Sequence, residues 1–248
     1  MEEFWINPAL TPHIVTETAS YLVLYKPPRM HTVPLHPGKE NTLLDWVALR
    51  FPEVRKIWGY KEIEGGLLHR LDYETQGLVL CARTAEAFRA FTNQQNSGDI
   101  IKEYEAVCRS DYTQILPGFP PGSAAFNKTG AVIESAFRPF GEGRKAVRPV
   151  LPGDANHKRD VLYHTEIVSC TESGDRAFFD LRMSKGFRHQ IRCHLAWIGW
   201  PILNDDLYGL GVDKEASTED SGYLALRASA ISFSDPDTNF RLRISAVK

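Results

Sequence analysis

The 248-residue sequence lacks several features that mark common classes of protein. No uninterrupted apolar run is long enough to cross a membrane, and the acidic start, MEEFWINPAL, has no apolar core of a secretory signal. The four cysteines lie far apart without a C-x-x-C pair, which argues against a disulfide framework and a zinc knuckle. We therefore expect a cytoplasmic protein that contacts no membrane.

Patterns for metals and cofactors are missing as well. His189 and His194 are five residues apart and do not share a helix face, unlike the histidines of H-x-x-x-H zinc sites. P-loop, dinucleotide-binding and G-x-S-x-G fingerprints are also absent from the sequence. We predict that the protein uses neither a metal nor a cofactor.

Positive charge is not in excess, since the formal net charge is −2. This is not the overall signature of a nucleic-acid-binding protein. Basic residues nevertheless gather in two segments, Lys185 to His194 and Arg144 to Arg159. Such a segregated field can bind a polyanion on one face, and the alternative is an ordinary, well-mixed solvated surface.

Apolar periodicity predicts many strands and few helices, without regular βαβ spacing. We expect an α+β fold with a largely antiparallel or mixed central sheet flanked by a few helices. Residues 1–248 are expected to form a single domain, with an N-terminal extension over about 1–20 and an irregular excursion over about 110–160 that holds one or two short strands. Strands are predicted at 21–26, 77–82, 101–108, 161–170, 177–184, 223–233 and 239–246, and helices at 41–52, 84–95 and 188–201.

The segment GGLLHRLDYETQGLVLCART places ionisable groups between two strand-like apolar runs. Asp72 can be a routine turn residue beside Thr75 and Gly77. Its apolar surroundings favour another interpretation, because a carboxylate there is costly unless it is paired. Arg70 is predicted to point to the opposite face, so the partner must come from elsewhere.

Arg192 is the candidate partner of Asp72. It is predicted at the border of the buried face of the last helix, and Arg188 is predicted one turn earlier on the same side. An arginine at such a border can bind a buried carboxylate with two hydrogen bonds, although a solvated helix face remains open. Asp72 could instead form a carboxylate pair with Glu74, as in a glycoside hydrolase.

Several segments together resemble one family. HRLDYETQGLVL resembles the catalytic motif H-R-L-D-x-x-T-S-G-L of the RluA-type pseudouridine synthases. Four other segments resemble further motifs of that family, in the same order: VLYKPPRMHTVP, IKEYEAV, GFRHQIRCHLAWIGWPILNDDLYG and LALRASAISFSDP. The resemblance extends from about Tyr21 to about Asp235, which is nearly the whole chain.

The resemblance implies an isomerase that converts specific uridines in ribosomal or transfer RNA to pseudouridine by base flipping, without a cofactor or an obligate protein partner. It implies that Asp72 is the nucleophile, which must be ionised. Arg192 is expected to pair with that carboxylate, and Tyr104 to pack on the target base.

RNA contacts are implied for further residues. Arg70 is expected to fill the place of the flipped base, since a planar cation can stack on bases. Leu195 is expected near the base pocket, and the alternative is a plain core residue. Additional RNA or base contacts are expected from His69, Lys185, Arg188 and His189.

The sequence departs from the family pattern at a few positions, which we expect to affect RNA contacts and target choice. Gln76 stands where Ser is usual, Phe187-Arg188 replaces Arg-Thr, Asn204 replaces Gly, and Arg227 replaces His. No room for an S4 RNA-binding domain is expected before Tyr21. Two other functions stay open, an N-glycoside or nucleoside hydrolase and a non-catalytic RNA-binding module.

Overall fold

The computed structural model describes residues 9–36, 38, 40–59, 61–109, 116–121, 129–151, 161–209 and 222–246. These residues form an α+β fold, as the sequence predicts. The chain divides into two compact units. The N-terminal unit comprises the described residues up to Glu103 together with those from Arg227 onward, and the central unit comprises the described residues of Tyr104–Leu226.

The described residues contain ten strands and three α-helices. In chain order the elements are β1 (His13–Glu17), β2 (Tyr21–Lys26), α1 (Leu43–Arg50), β3 (Gln76–Ala82), α2 (Ala85–Ser97), β4 (Ile101–Arg109), β5 (Val132–Phe140), β6 (Ala146–Val150), β7 (Tyr163–Ser173), β8 (Arg176–Met183), α3 (Gln190–Trp197), β9 (Leu226–Ser234) and β10 (Arg241–Ser245).

The sheet of the N-terminal unit is mixed and mostly antiparallel. Its strands follow the order β1-β2-β3-β9, and β10 pairs with β9. Every pairing is antiparallel except that of β3 with β9, where Gln76 lies opposite Arg227 and Gly77 opposite Ala228. The strand β1 falls within the stretch expected to be an N-terminal extension.

Aromatic packing joins β2, α2 and β9 in the core of the N-terminal unit. The rings of Tyr21, Phe91 and Phe233 lie edge to face, with centroids 5.2 to 5.5 Å apart. Helix α2 presents these core residues because it begins at the N-cap Thr84 and ends at Gly98, which has a positive φ of 84°. The sequence predicts a helix over 84–95, so the helix is present as predicted and its last turn extends two residues further.

The strands of the central unit follow the order β4-β8-β7-β5-β6. The strands predicted at 161–170 and 177–184 form the antiparallel hairpin β7–β8, and Gly174 turns it with a φ of 63°. The antiparallel pair β5–β6 provides the strands expected within the excursion at 110–160. Residues 110–115, 122–128 and 152–160 of that excursion, including part of the second basic segment, lie outside the described residues.

Two local predictions are wrong. The residues before β3 do not form a full strand, but an isolated antiparallel bridge between Leu67 and Cys81, next to which the amide of Leu68 donates to the carbonyl of Leu80 (3.0 Å). Helix α3 has no solvated face, because all eight of its residues are buried. Arg192 is therefore inside the unit and not at a border, with only 4% of its surface exposed.

No helix among the described ranges is both long and apolar enough to span a membrane.

Gly77 supplies a test of the close approach between β3 and β9. Its φ is 121°, and a Cβ added there would lie 2.3 Å from the carbonyl oxygen of Ala228. We expect Gly77→Ala to lower the free energy of unfolding by about 3 kcal/mol or more, because backbone must move. Gly174→Ala is the matched control, since its φ is also positive but nothing lies within 4 Å of the added Cβ; we expect a loss of about 1–2 kcal/mol. Equal losses in chemical denaturation would contradict the steric explanation.

Candidate active site

Asp72 lies in the loop that precedes β3 in the N-terminal unit, and it is half-buried. Its carbonyl accepts a hydrogen bond from the amide of Thr75 (3.1 Å), which closes a turn. The hydroxyl of Thr32 clasps the preceding residue, since it donates to the carbonyl of Leu71 (2.9 Å) and accepts from the amide of Leu71 (3.1 Å). The backbone around Asp72 is therefore fixed to the segment that follows β2.

Lys26 binds the same loop through its side chain, and sequence analysis did not identify it as a site residue. The side chain is fully buried, and Nζ donates to the carbonyls of Pro27 (2.9 Å), Met30 (2.8 Å) and Tyr73 (3.3 Å). Three acceptors match the three N–H groups of an ammonium ion. Burial lowers the pKa of Lys26 to about 7, and the nearby carboxylates of Asp72 and Glu74 oppose that shift.

His69 is a neutral support for this loop. Its Nε2 accepts a hydrogen bond from the amide of Leu80 (3.2 Å), which fixes the proton on Nδ1. Burial, reinforced by the Lys102 ammonium, lowers the pKa of His69 to about 3. The ring therefore brings no positive charge to RNA at neutral pH, and its expected RNA contact stays a prediction.

Arg70 points outward beside Asp72. Its side chain is 60% exposed, and Nη1 lies 3.6 Å from Oε1 of Glu64, whose side chain is only 11% exposed. The guanidinium group is thus available at the surface of the N-terminal unit. The base-displacing role of Arg70 stays a prediction.

Arg192 has a buried carboxylate partner that sequence analysis missed. In the central unit, its Nε and Nη2 donate to Oδ2 and Oδ1 of Asp205 at 2.8 and 2.7 Å, and the two side chains are 5% and 0% exposed. Asp205 Oδ1 also accepts from the amides of Leu207 (3.0 Å) and Tyr208 (3.1 Å). The pairing of Arg192 with Asp72 stays a prediction.

The prediction that Arg188 lies one turn before Arg192 on the same helix face is wrong. Helix α3 begins only at Gln190, and its N-cap His189 has a φ of 56°. This left-handed residue turns the chain, so Arg188 lies outside the helix. Its exposed guanidinium donates to the carbonyls of Arg144 (2.9 Å) and Ala146 (3.1 Å).

The other predicted site residues of the central unit divide into buried and accessible groups. Tyr104 and Leu195 are buried, at 5% and 0% exposure, and the burial of Leu195 agrees with a core role. Lys185 is exposed, and His189 is half-buried with Nδ1 3.2 Å from the hydroxyl of Tyr208. Tyr208 thus lies next to His189, although sequence analysis did not single it out. Its hydroxyl also accepts a hydrogen bond from the amide of Val147 (2.8 Å).

Two departures from the family pattern have structural explanations. Gln76 is fully buried, and its Oε1 accepts a 2.6 Å hydrogen bond from the hydroxyl of Tyr25, so it links β3 to β2. Asn204 has a φ of 61°, a conformation that glycine and asparagine tolerate. Its Nδ2 donates to the carbonyl of Tyr223 (3.0 Å), which holds the turn before Asp205.

Within the part of the chain that the structure describes, no group of three or more His, Cys, Asp or Glu residues is placed to hold a metal ion.

Comparison with solved structures identifies the fold first. The human protein named RNA pseudouridylate synthase domain containing 1 aligns over 96% of this chain and 84% of its own, with a TM-score of 0.66 and 19% identity. A second human protein, RNA pseudouridylate synthase domain containing 4, aligns over 94% of this chain and 87% of its own, with a TM-score of 0.59 and 19% identity. Both show that the fold is that of a pseudouridine synthase, as predicted.

Sequence comparison then identifies the family. The profile described as RNA pseudouridylate synthase matches residues 20–197, which include Asp72, Tyr104 and Arg192. The chain belongs to this family, which confirms the resemblance found in its motifs.

Two relatives show how far the likeness extends. An uncharacterized RNA pseudouridine synthase of Chloroflexus aurantiacus is 31% identical over 180 residues, covering 73% of this chain and 48% of the relative. Ribosomal large subunit pseudouridine synthase D of Vibrio cholerae is 25% identical over 256 residues, covering 99% of this chain and 70% of the relative. The chain thus spans about half the length of the Chloroflexus relative.

Asp205→Asn tests the energetic importance of the buried ion pair. We expect the free energy of unfolding to fall by about 3–5 kcal/mol, because the buried guanidinium of Arg192 loses the carboxylate that binds it with two hydrogen bonds. Glu166→Gln is the matched control, since Arg182 binds Glu166 with the same two-bond geometry but the side chains are 46% and 34% exposed. The control should cost less than about 1 kcal/mol in urea denaturation. Similar losses would show that burial of the pair is unimportant.

Lys26→Met tests the buried ammonium through the pH dependence of stability. The pKa of Lys26 is about 7 in the folded chain, below its usual 10.5, so between these values the unfolded chain binds more protons. The free energy of unfolding of the natural protein minus that of Lys26→Met should therefore rise with pH across this window, by up to about 1.4 kcal/mol per pH unit. Lys102, present in both proteins, cancels in the difference. Urea titrations at several pH values measure it, and a flat difference would contradict the depressed pKa.

Proposed function

We propose that this protein converts uridine in RNA to pseudouridine with Asp72 as the nucleophile. The observation that carries the proposal is the family match over residues 20–197, within which H-R-L-D ends at Asp72. The local structure supports the role, since the carboxyl is half-buried, the hydroxyl of Thr32 binds the backbone of the preceding Leu71, and Lys26 lies near the carboxyl. The proposal requires an ionised carboxylate, because that form is the nucleophile.

The reaction is an isomerisation within one nucleotide. The bond between N1 of uracil and C1′ of ribose breaks, the base turns, and C5 forms a new bond to C1′. C5 loses its hydrogen to solvent and N1 gains a proton, so that atoms and charge balance without an added cofactor. We propose that Tyr104 packs on the base and that Arg192 pairs with the nucleophile, as the family motifs imply.

We propose large-subunit ribosomal RNA as the first substrate to test, with transfer RNA as the second. The support is the name of the Vibrio cholerae relative, which is a ribosomal large subunit enzyme. We further propose that the protein acts in the cytoplasm. Its four cysteines are free thiols, three of them buried, which suits a reducing compartment.

RNA contacts are proposed at exposed cations of both units. Arg70 carries the role of filling the place of a flipped base, and its exposed guanidinium supports that role. Lys185 and Arg188 are exposed in the central unit and are proposed to contact the phosphate backbone. His69 and His189 are proposed to act near the RNA as neutral or hydrogen-bonding groups, and Leu195 as an apolar wall.

The first test uses RNA that carries tritium at C5 of uridine, because this isomerisation releases that hydrogen. We expect the natural protein to release tritium from unmodified ribosomal or transfer RNA, and Asp72→Asn to release none above background. Glu74→Gln is the matched control, since it removes the neighbouring carboxylate and should retain most of the release.

The same assay separates the alternatives. A hydrolase that uses Asp72 with Glu74 would liberate free uracil and would lose activity in Glu74→Gln. A non-catalytic RNA-binding module would bind RNA without releasing tritium. Either result would overturn the proposal, whereas pseudouridine retained in the polymer would support it.

A further inference from the structure

A pair of aromatic rings lies beside Asp72 at the surface of the N-terminal unit. Tyr73, the residue after Asp72, is 43% exposed. Its ring centroid lies 4.7 Å from that of His31, and the two planes are tilted by 41°. An exposed tyrosine ring is a large apolar surface that water solvates poorly, and a nucleobase can cover it by stacking.

Hydrogen bonds fix the backbone that carries the two rings. The carbonyl of Tyr73 accepts from Nζ of the buried Lys26 (3.3 Å). On the other side, the carbonyl of His31 accepts from the amide of Leu43 (2.9 Å), the first residue of α1. The Thr32 hydroxyl joins the two segments through its hydrogen bonds to Leu71. A ligand that stacks here therefore pays little entropy to order the site.

Two guanidinium groups lie on the same segments as the rings. Arg29 is two residues before His31, and its side chain is 54% exposed while that of its partner Glu74, 3.7 Å away, is 34% exposed. Arg70, three residues before Tyr73, is 60% exposed while its partner Glu64 is 11% exposed. In both pairs the positive group is the more exposed member, so the pairs present cations to solvent. Exposed pairs at such distances are weak and can exchange a carboxylate for a phosphate.

We infer that Tyr73, supported by His31, is a stacking platform for an unpaired base of the RNA next to the target uridine, with Arg29 at a flanking phosphate and Arg70 beside it in the place of the flipped base. An aromatic face combined with nearby cations is the general solution for binding single-stranded nucleic acid. The inference rests on the proposed function, because it takes RNA as the substrate. In this role Tyr73 favours RNA that has an unpaired base next to the target uridine. This preference does not depend on the chemistry of the reacting base.

The test measures the contribution of bases to affinity separately from that of phosphates. The probes are a fluorescent 12-nucleotide oligouridylate and a 12-unit chain of abasic ribose phosphates with the same charge. We expect Tyr73→Ala in the full chain to weaken binding of oligouridylate by about 5- to 150-fold, the range for losing one stacked base. We expect it to leave binding of the abasic chain unchanged, because the phosphate contacts remain.

Two further variants and one control test whether the aromatic ring of Tyr73 is what binds oligouridylate. Tyr73→Phe keeps the ring and should bind oligouridylate like the natural protein, whereas Tyr73→Leu keeps apolar bulk without the ring and should behave like Tyr73→Ala. Phe240→Ala is the matched control, since Phe240 is 72% exposed in the same unit but lies between β9 and β10. It should leave both affinities unchanged.

Three outcomes would overturn the platform. They are a Tyr73→Ala loss no larger than that of Phe240→Ala, an equal loss on the abasic chain, or a natural protein that binds both probes alike. The proposed function is tested apart from these by tritium release from ribosomal RNA, where Tyr73→Ala should raise KM for the RNA and leave kcat nearly unchanged. Base-dependent binding without any tritium release would support the platform and refute the isomerase.

Discussion

The buried ammonium group of Lys26 is the constraint on which the geometry around Asp72 depends. A charge removed from water costs several kcal/mol unless fixed dipoles replace the solvent. Here the replacements are the carbonyls of Pro27, Met30 and Tyr73, which come from the two ends of a long stretch of chain. The need to satisfy one cation thus fixes the loop after β2 and the loop before β3 together. The loop that carries Asp72 is held in that arrangement.

The same principle explains how α3 can be buried on every side. Polar residues of this helix enter the interior because each has partners there. Gln190 donates to the carbonyl of His164 and to Thr165 Oγ1, and the ring of His194 lies between the hydroxyls of Ser135 (3.0 Å) and Thr165 (2.9 Å). Burial lowers the pKa of His194 to about 3, so the ring is neutral. Arg192 completes the set with Asp205, and the helix becomes a rigid support for that guanidinium.

The sequence was informative where the signal is local. The apolar run of β2, the capping residues of α2 and the glycine that turns the β7–β8 hairpin can each be recognised within a few residues of sequence. The structure contains all three elements. The ordered motifs identified the family for the same reason, since each is a short contiguous string. Partners that meet through the fold leave no such signal. Asp205 follows Arg192 by more than three helical turns of chain, and Tyr73 is far from Lys26, so neither contact has a spacing that predicts it.

One residue with an unusual backbone conformation accounts for the wrong prediction of where α3 begins. His189 has a φ of 56° at the start of α3, where a serine, threonine or aspartate would have marked the N-cap. Without that mark, the periodicity of the helix extended backward to include Arg188. The sequence also does not reveal that α3 is buried on all sides. Charged and amide side chains are predicted to face solvent when their partners are unknown.

The order of elements along the chain has a consequence for synthesis. The N-terminal unit is discontinuous in sequence, because its first segment ends at Glu103 and its second begins at Arg227. Strands β9 and β10 are therefore the last parts of this unit to be synthesised. Phe233 of β9 is one of the three rings at its core, and the other two, Tyr21 and Phe91, are made long before. A nascent chain therefore carries an open sheet edge and an unfinished aromatic core while the whole central unit is being translated. Contacts of such sequence separation form slowly, so we expect the chain to be most prone to aggregation in the interval before Phe233 emerges.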